Sequence, residues 1–183
     1  GFTGVPPTEI VILGAGTVGE YAARTALSLG AEVKVFDSSI FKLRRLQNNL
    51  GNRVFTSVMQ PVVLKKAITT CDVVIGAIRS EHGHSPCVVM EETVAKMKPH
   101  SVVVDVSIDQ GGCFETSEVT NHKDPVFVKH DVIHYCVPNI ASRVPRTASY
   151  ALTNIFAPIL VDIGDMGGLM NMVWNKPGIR EGL

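Results

Sequence analysis

Four apolar residues, Ile10 to Leu13, run straight into Gly14, Gly16 and Gly19 at G-x-G-x-x-G spacing, and this stretch narrows the possible folds more than any other part of the 183-residue chain. It reads as a strand, a glycine turn and the first turns of a helix. Gly14 permits a sharp exit from the strand, Gly16 has no Cβ to hold a pyrophosphate off the backbone, and Gly19 lets the helix press on the sheet. The helix start, with Thr17 and Val18, adds unpaired N–H groups and a positive dipole end. Glycine turns of this kind also arise for packing reasons alone, so the context decides. A second strand, Glu32 to Phe36, ends in Asp37, about 20 residues past the glycines, where a carboxylate accepts hydrogen bonds from both hydroxyls of an adenosine ribose. The same carboxylate repels a 2′-phosphate, which favours NAD over NADP. Lys42, Arg44 and Arg45 come next, and their plainest reading is the solvated face of the following helix.

The alternation of strand and helix continues from there. Helices are expected over 17–29, ended by Gly30, and over 40–50, where Ile40, Leu43, Leu46 and Leu50 keep helical spacing and Gly51 closes the run. Residues 52–57 read as a short third strand, 62–69 as a helix with Leu64, Ala67 and Ile68 inward, and 72–76 as a fourth strand. This last run is apolar on successive residues, as a parallel strand buried on both faces requires. A helix over 90–97 and strands over 102–105, 126–128 and 132–137 follow. The pattern predicts a Rossmann-type, doubly wound α/β fold with a mostly parallel sheet and helices on both faces.

Residues 1–8, with prolines at 6 and 7, read as a linker, 9–147 as the nucleotide-binding domain and 148–183 as a helical segment. The apolar helix expected from Ala148, kinked at Pro158, is hydrophobic on several faces and therefore expects a partner. Both ends of the chain thus point to a further domain or a neighbouring subunit. With 45% hydrophobic residues the chain can bury a sizeable core. Its formal net charge of zero gives no field for nucleic acid or an anionic membrane surface. No apolar run approaches the roughly 20 residues of a spanning helix, and no signal peptide is legible, so a cytoplasmic protein is expected. Cys71, Cys87, Cys113 and Cys136 lack C-x-x-C spacing and read as reduced, mostly structural thiols.

Two polar stretches stand directly after buried strands, at the sheet edge where ligands of this fold class collect. The first, Ala77 to Pro86, holds Ile78, Arg79, His82 and His84; two histidines without a further ligand at metal spacing are better explained as solvent-facing. The second is Val104-Asp-Val-Ser-Ile-Asp-Gln-Gly-Gly-Cys-Phe-Glu115. There Asp105 ends a strand, Asp109 is expected in the loop, and Gly111 and Gly112 free the backbone to approach a ligand. An ordinary loop carboxylate is the plain reading of Asp109, and its place at the crevice edge favours function. A third turn, Pro138-Asn139-Ile140, follows Val137.

The glycine stretch with Asp37, the segment from Ala95 to Glu115, and Val137-Pro-Asn-Ile140 with Thr153 and Asn154 together resemble the nucleotide domain of the alanine dehydrogenase family. The Ile108-Asp-Gln-Gly-Gly-Cys-Phe-Glu115 run is the most specific part of the likeness. Domain I of the proton-pumping nicotinamide nucleotide transhydrogenase is a relative, usually without the acid, so Asp109 argues for the dehydrogenase. The resemblance implies NAD-dependent oxidative deamination of L-alanine to pyruvate and ammonia. Hydride would leave the alanine Cα for the nicotinamide C4, and the iminium would be hydrolysed through a carbinolamine.

On that resemblance Asp109 is the carboxylate active in proton transfer or in binding the amino group, while the histidine acid/base and the carboxylate-binding lysine and arginine belong to another domain. The cofactor positions it implies are Gly14, Gly16, Thr17, Val18 and Gly19 at the pyrophosphate turn, Asp37 and Lys42 at the adenosine, and Ile78 and Arg79 beyond the fourth strand. Val106, Ser107, Ile108 and Asp109, with Val137, Pro138, Asn139 and Ile140, would flank the nicotinamide half. A homo-oligomer, a hexamer, is also implied, and a chain such as this is expected to bind NAD without turning over alanine by itself. The loop from Arg79 to His84 departs from the apolar form of the family, and Met59 stands where a hydroxyl is expected near the adenine. Two other classes stay open: a transhydrogenase subunit and a non-catalytic NAD-sensing module.

Overall fold

The computed structural model describes residues 3–79 and 83–180. They divide into two compact units, Gly1–Pro138 and Asn139–Leu183.

The first unit is a seven-stranded sheet. Strands β1 (Glu9–Leu13), β2 (Glu32–Phe36), β3 (Phe55–Ser57), β4 (Val73–Gly76), β5 (Val102–Asp105), β6 (Val126–Lys129) and β7 (Val132–Tyr135) lie in the order β3-β2-β1-β4-β5-β7-β6. All pairs are parallel except β6 with β7, which is antiparallel and puts β6 at the edge. The chain winds outward from β1 to β3 on one side and from β4 onward on the other. The switch point therefore lies between the carboxyl ends of β1 and β4, where this class of sheet opens a crevice.

Helices α1 (Thr17–Ser28) and α2 (Ile40–Leu50) cover one face, where Ala23, Ala26, Leu43, Leu46 and Leu50 pack with Ile12, Val33 and Val35. On the other face α3 (Pro61–Thr70) and the single-turn α4 (Glu91–Val94) bring Leu64, Ala67, Ile68 and Val94 onto Val11, Leu13, Val74 and Val103. Because successive strand residues point to opposite faces, the apolar runs of β1 and β2 supply both cores at once. The doubly wound α/β reading holds. Its boundaries shift where local hydrogen bonding overrides composition. The third strand starts only at Phe55, and the helix expected over 90–97 stops as α-helix at Val94 and continues in turns to Met97.

All four cysteines are free; Cys71, Cys113 and Cys136 are buried and Cys87 is exposed. Burial pushes the Cys71 thiol up to about 12, so it stays protonated and behaves as a small apolar side chain.

A buried histidine should make the end of the sheet pH-sensitive. His134 on β7 is fully enclosed, stacks on Phe127 across the hairpin with ring centroids 4.8 Å apart, and has Nδ1 3.0 Å from the Val132 carbonyl oxygen. A carbonyl only accepts, so Nδ1 carries the proton and Nε2 accepts from the Thr116 hydroxyl at 2.9 Å. Burial holds the His134 pKa below the ordinary value. The unfolded chain therefore takes up a proton first as pH falls from near 6.5, and stability that is complete above that pH drains away toward the lower folded value. Urea midpoints should fall from pH 7.5 to pH 5, and His134→Gln should flatten that slope; an unchanged slope in the variant would place the sensitivity elsewhere.

The second unit is helical: a 3-10 turn at Ile140–Arg143, then α5 (Pro145–Asp165), α6 (Leu169–Asn175) and α7 (Pro177–Arg180). Pro158 lies inside α5 without ending it, and none of the residues of α5 is buried. Among the described residues no single helix is long and apolar enough to cross a membrane.

Candidate nucleotide-binding crevice

The three glycines do three different things. Gly14, directly after β1, has φ +108° and donates its N–H to the Phe36 carbonyl of β2 at 2.7 Å, while the Ala77 N–H after β4 donates to the Leu13 carbonyl at 2.7 Å. The turn is thus tied to both flanking strands. A Cβ on Gly14 would lie 2.8 Å from the Ala77 carbonyl carbon. A Cβ on Gly19 would lie 3.0 Å from the Gly14 carbonyl carbon and collide with its oxygen. Gly16 is the exception: its backbone is extended, φ −78° and ψ −169°, and no atom lies within 4 Å of a Cβ placed there. It caps α1 with no side chain of its own, so the space above it and the first N–H groups of the helix stay accessible. That open cradle is the shape a pyrophosphate requires.

Asp37 does more than its position implied. Its side chain is 7% exposed; Oδ2 accepts the Ala15 N–H at 2.7 Å and Oδ1 accepts the Ser39 N–H at 2.8 Å. The carboxylate pins the glycine turn. Each oxygen keeps a second lone pair, so ribose hydroxyls can still be accepted. A small hollow of about 100 Å³ lies beside it, walled by Gly14, Gly16, Lys42, Met59, Ile78 and Arg79 and also by Ser38 and Ala77. Lys42 thus joins the crevice. Arg45 does not stay with solvent alone, since its Nη2 donates to the Ala15 carbonyl at 3.4 Å.

A second hollow, of about 290 Å³, shares Ala77, Ile78 and Arg79 with the first and adds Val18, Val106, Ser107, Asp109 and Gln110. Asp109 was expected in an open loop; it stands instead on a 3-10 helix, Val106–Gln110, exposed at its surface. Asp105 organises this end. Fully buried, it accepts from the Ser107 N–H at 2.9 Å, the Cys113 N–H at 2.9 Å and the Ser117 hydroxyl at 2.6 Å. Gly112 is bare for that carboxylate, because a Cβ there would lie 2.7 Å from Asp105 Oδ2. The bareness of Gly112 thus has a structural use in the clamp. Ser107 in turn accepts the Ile78 N–H at 2.9 Å, and Ser85 joins the Gln110 carbonyl at 2.7 Å to the Ile78 carbonyl at 3.0 Å.

Of the remaining expected positions, Thr17 is exposed at the start of α1 and Ile108 is buried under its 3-10 turn. Val137 is buried and Pro138 closes the first unit, while Asn139, with φ +53°, and Ile140 open the second. None of these four lines either hollow. His82 lies outside the described residues, and His84 has its Nδ1 3.6 Å from a Cβ placed on Gly111. Among the described residues no group of three or more histidine, cysteine or acidic side chains is set to hold a metal. Sequence reasoning missed Ser38, Ala77 and Gln110 as lining residues and Ser117 as part of the clamp; nothing near them in the chain signals those contacts.

Comparison with known proteins matches all residues 1–183 to the family described as "Alanine dehydrogenase/PNT, C-terminal domain". Alanine dehydrogenase of Mycolicibacterium smegmatis is 46% identical over 91% of this chain and 45% of its own length, and that of Bacillus subtilis 39% identical over 100% and 48%. Among solved structures, an L-alanine dehydrogenase superposes with a TM-score of 0.93 at 37% identity, covering 100% of this chain and 50% of its own. A transhydrogenase from Sinorhizobium meliloti superposes with a TM-score of 0.75 at 28% identity over 85% of this chain and 44% of its own. The chain spans about half the length of the curated relatives it matches.

Proposed function

This chain belongs to the family of alanine dehydrogenase and PNT C-terminal domains, and from that premise we propose that it binds NAD and forms the cofactor half of an alanine dehydrogenase. The observation that carries the reading is the pairing of an open Gly16 cradle at the start of α1 with a buried Asp37 at the end of β2. The residues fit the cofactor: a bare backbone for the phosphates, a carboxylate with free lone pairs for the ribose, and the partly buried Met59 and Ile78 as apolar wall. The Asp37 carboxylate, which would repel a 2′-phosphate, favours NAD over NADP.

Bound NAD would supply the hydride acceptor for oxidation of L-alanine to pyruvate and ammonia. The chain's own residues would hold it across the two hollows, with Val18, Val106 and Ser107 against the nicotinamide half and Asp109 beside it to accept a proton or the substrate amino group. The histidine, lysine and arginine that would complete the site come from outside these 183 residues, and the cleft between them supplies proximity. A cytoplasmic homo-hexamer is the assembly we assign to it. Calorimetric titration of NAD into the folded chain should give saturable binding in the submillimolar to millimolar range with no alanine-dependent NADH. Absence of binding at millimolar NAD would end the reading.

The transhydrogenase likeness supports a second reading, in which hydride passes to another nucleotide. Assay of the full-length protein with alanine against an NADP analogue as acceptor separates the two.

A further inference from the structure

The two hollows at the switch point meet at one wall, Ala77 to Arg79, and only its last residue is charged. Resting on the nucleotide reading above, we infer that Arg79 is the cation that neutralises the phosphates of the bound dinucleotide. A molecule with its adenosine beside Asp37 and its other base beside Asp109 must cross this wall with its phosphates uppermost.

Among the described lining residues the first hollow offers Asp37 and Lys42 and the second Asp109, and Arg79 is the charged side chain common to both. Two neighbouring cations have contacts of their own: Arg45 donates to the Ala15 carbonyl of the glycine turn, and Arg24 pairs at 3.2 Å with Glu20, the acid in the first turn of α1. Lys42 lines only the first of the two hollows, with Asp37. No ion pair of Arg79 is found among the described residues, and its side chain is exposed. Its base is nonetheless fixed, because Ile78 just before it is held through N–H to Ser107 Oγ at 2.9 Å and through its carbonyl by the Ser85 hydroxyl at 3.0 Å. Arg79 lines one hollow with Gly16, the residue that caps the twelve-residue α1, so its guanidinium and the helix N-terminus would form a two-sided phosphate site.

The test compares NAD, ADP and adenosine binding to the chain, its Arg79→Ala variant and its Arg79→Lys variant, at low and raised salt. Arg79→Ala should weaken NAD and ADP about tenfold, as loss of one charge-assisted contact does. Adenosine should bind unchanged, the salt dependence should shrink, and Arg79→Lys should restore most of the loss. Unchanged NAD and ADP affinity would make Arg79 a solvated loop charge, and equal weakening of adenosine would make it a shaper of the loop; either overturns the inference and leaves the nucleotide reading standing. A parent chain that binds none of the three overturns both.

Discussion

Gly19→Ala should cost about 3 kcal/mol of stability, a fall of roughly 10 °C in Tm for a chain of this size, while Gly16→Val should cost about 1 kcal/mol or less and yet reduce NAD affinity at least a hundredfold. The two glycines share one motif, and the structure separates their reasons. A methyl at 19 meets the Gly14 carbonyl, which belongs to backbone held by the Gly14 N–H to Phe36 and, one residue earlier, by the Ala77 N–H to the Leu13 carbonyl. Neither α1 nor the turn can retreat without breaking the link from β1 to β2. At 16 the φ of −78° suits any residue and the space is open, so a valine folds and then fills the cradle. Thermal melts and NAD titrations of both variants check this; a Gly16→Val chain that binds NAD as the parent does would remove the phosphates from that place.

The succession of strands and helices along the chain, the two-faced core and the polar turns after β1 and β4 were all legible, because apolar periodicity and glycine spacing are local and the chain records them in order. What was not legible depends on partners far along the chain. Asp105 reads as the end of a strand, and only folding brings Ser117 twelve residues away and the bare Gly112 around its carboxylate. Asp37 announced itself for the ribose, but its hold on the Ala15 N–H needs the turn and β2 side by side. Likewise the basic residues after Asp37 read as a solvated face, since nothing in a helical pattern says that Lys42 overlooks the hollow or that Arg45 reaches the glycine turn. Short helices such as Val106–Gln110 escape periodicity altogether, being less than two α-turns long.

That 3-10 helix sets up the other large effect. In the full-length protein, Asp109→Asn should lower kcat for alanine oxidation by a factor of about 10²–10⁴ while NAD affinity stays within about twofold and Tm is unmoved. Asparagine keeps the size of the side chain and its hydrogen-bonding reach, but it cannot take up a proton or offset the charge of an ammonium group. The frame under residue 109 has supports of its own: Asp105 holds the Ser107 and Cys113 amides, Ser107 holds Ile78, and Ser85 ties the Gln110 carbonyl to the loop after β4. A loss of kcat with KM for NAD unchanged therefore reports chemistry at the carboxylate, whereas a parallel loss of NAD binding would report a collapsed hollow. An NAD-sensing module would show neither, since nothing in cofactor capture by Gly16 and Asp37 calls for an acid on the far side of the wall. Full activity in the Asn variant would thus strip Asp109 of its role and leave this crevice as a binding site alone.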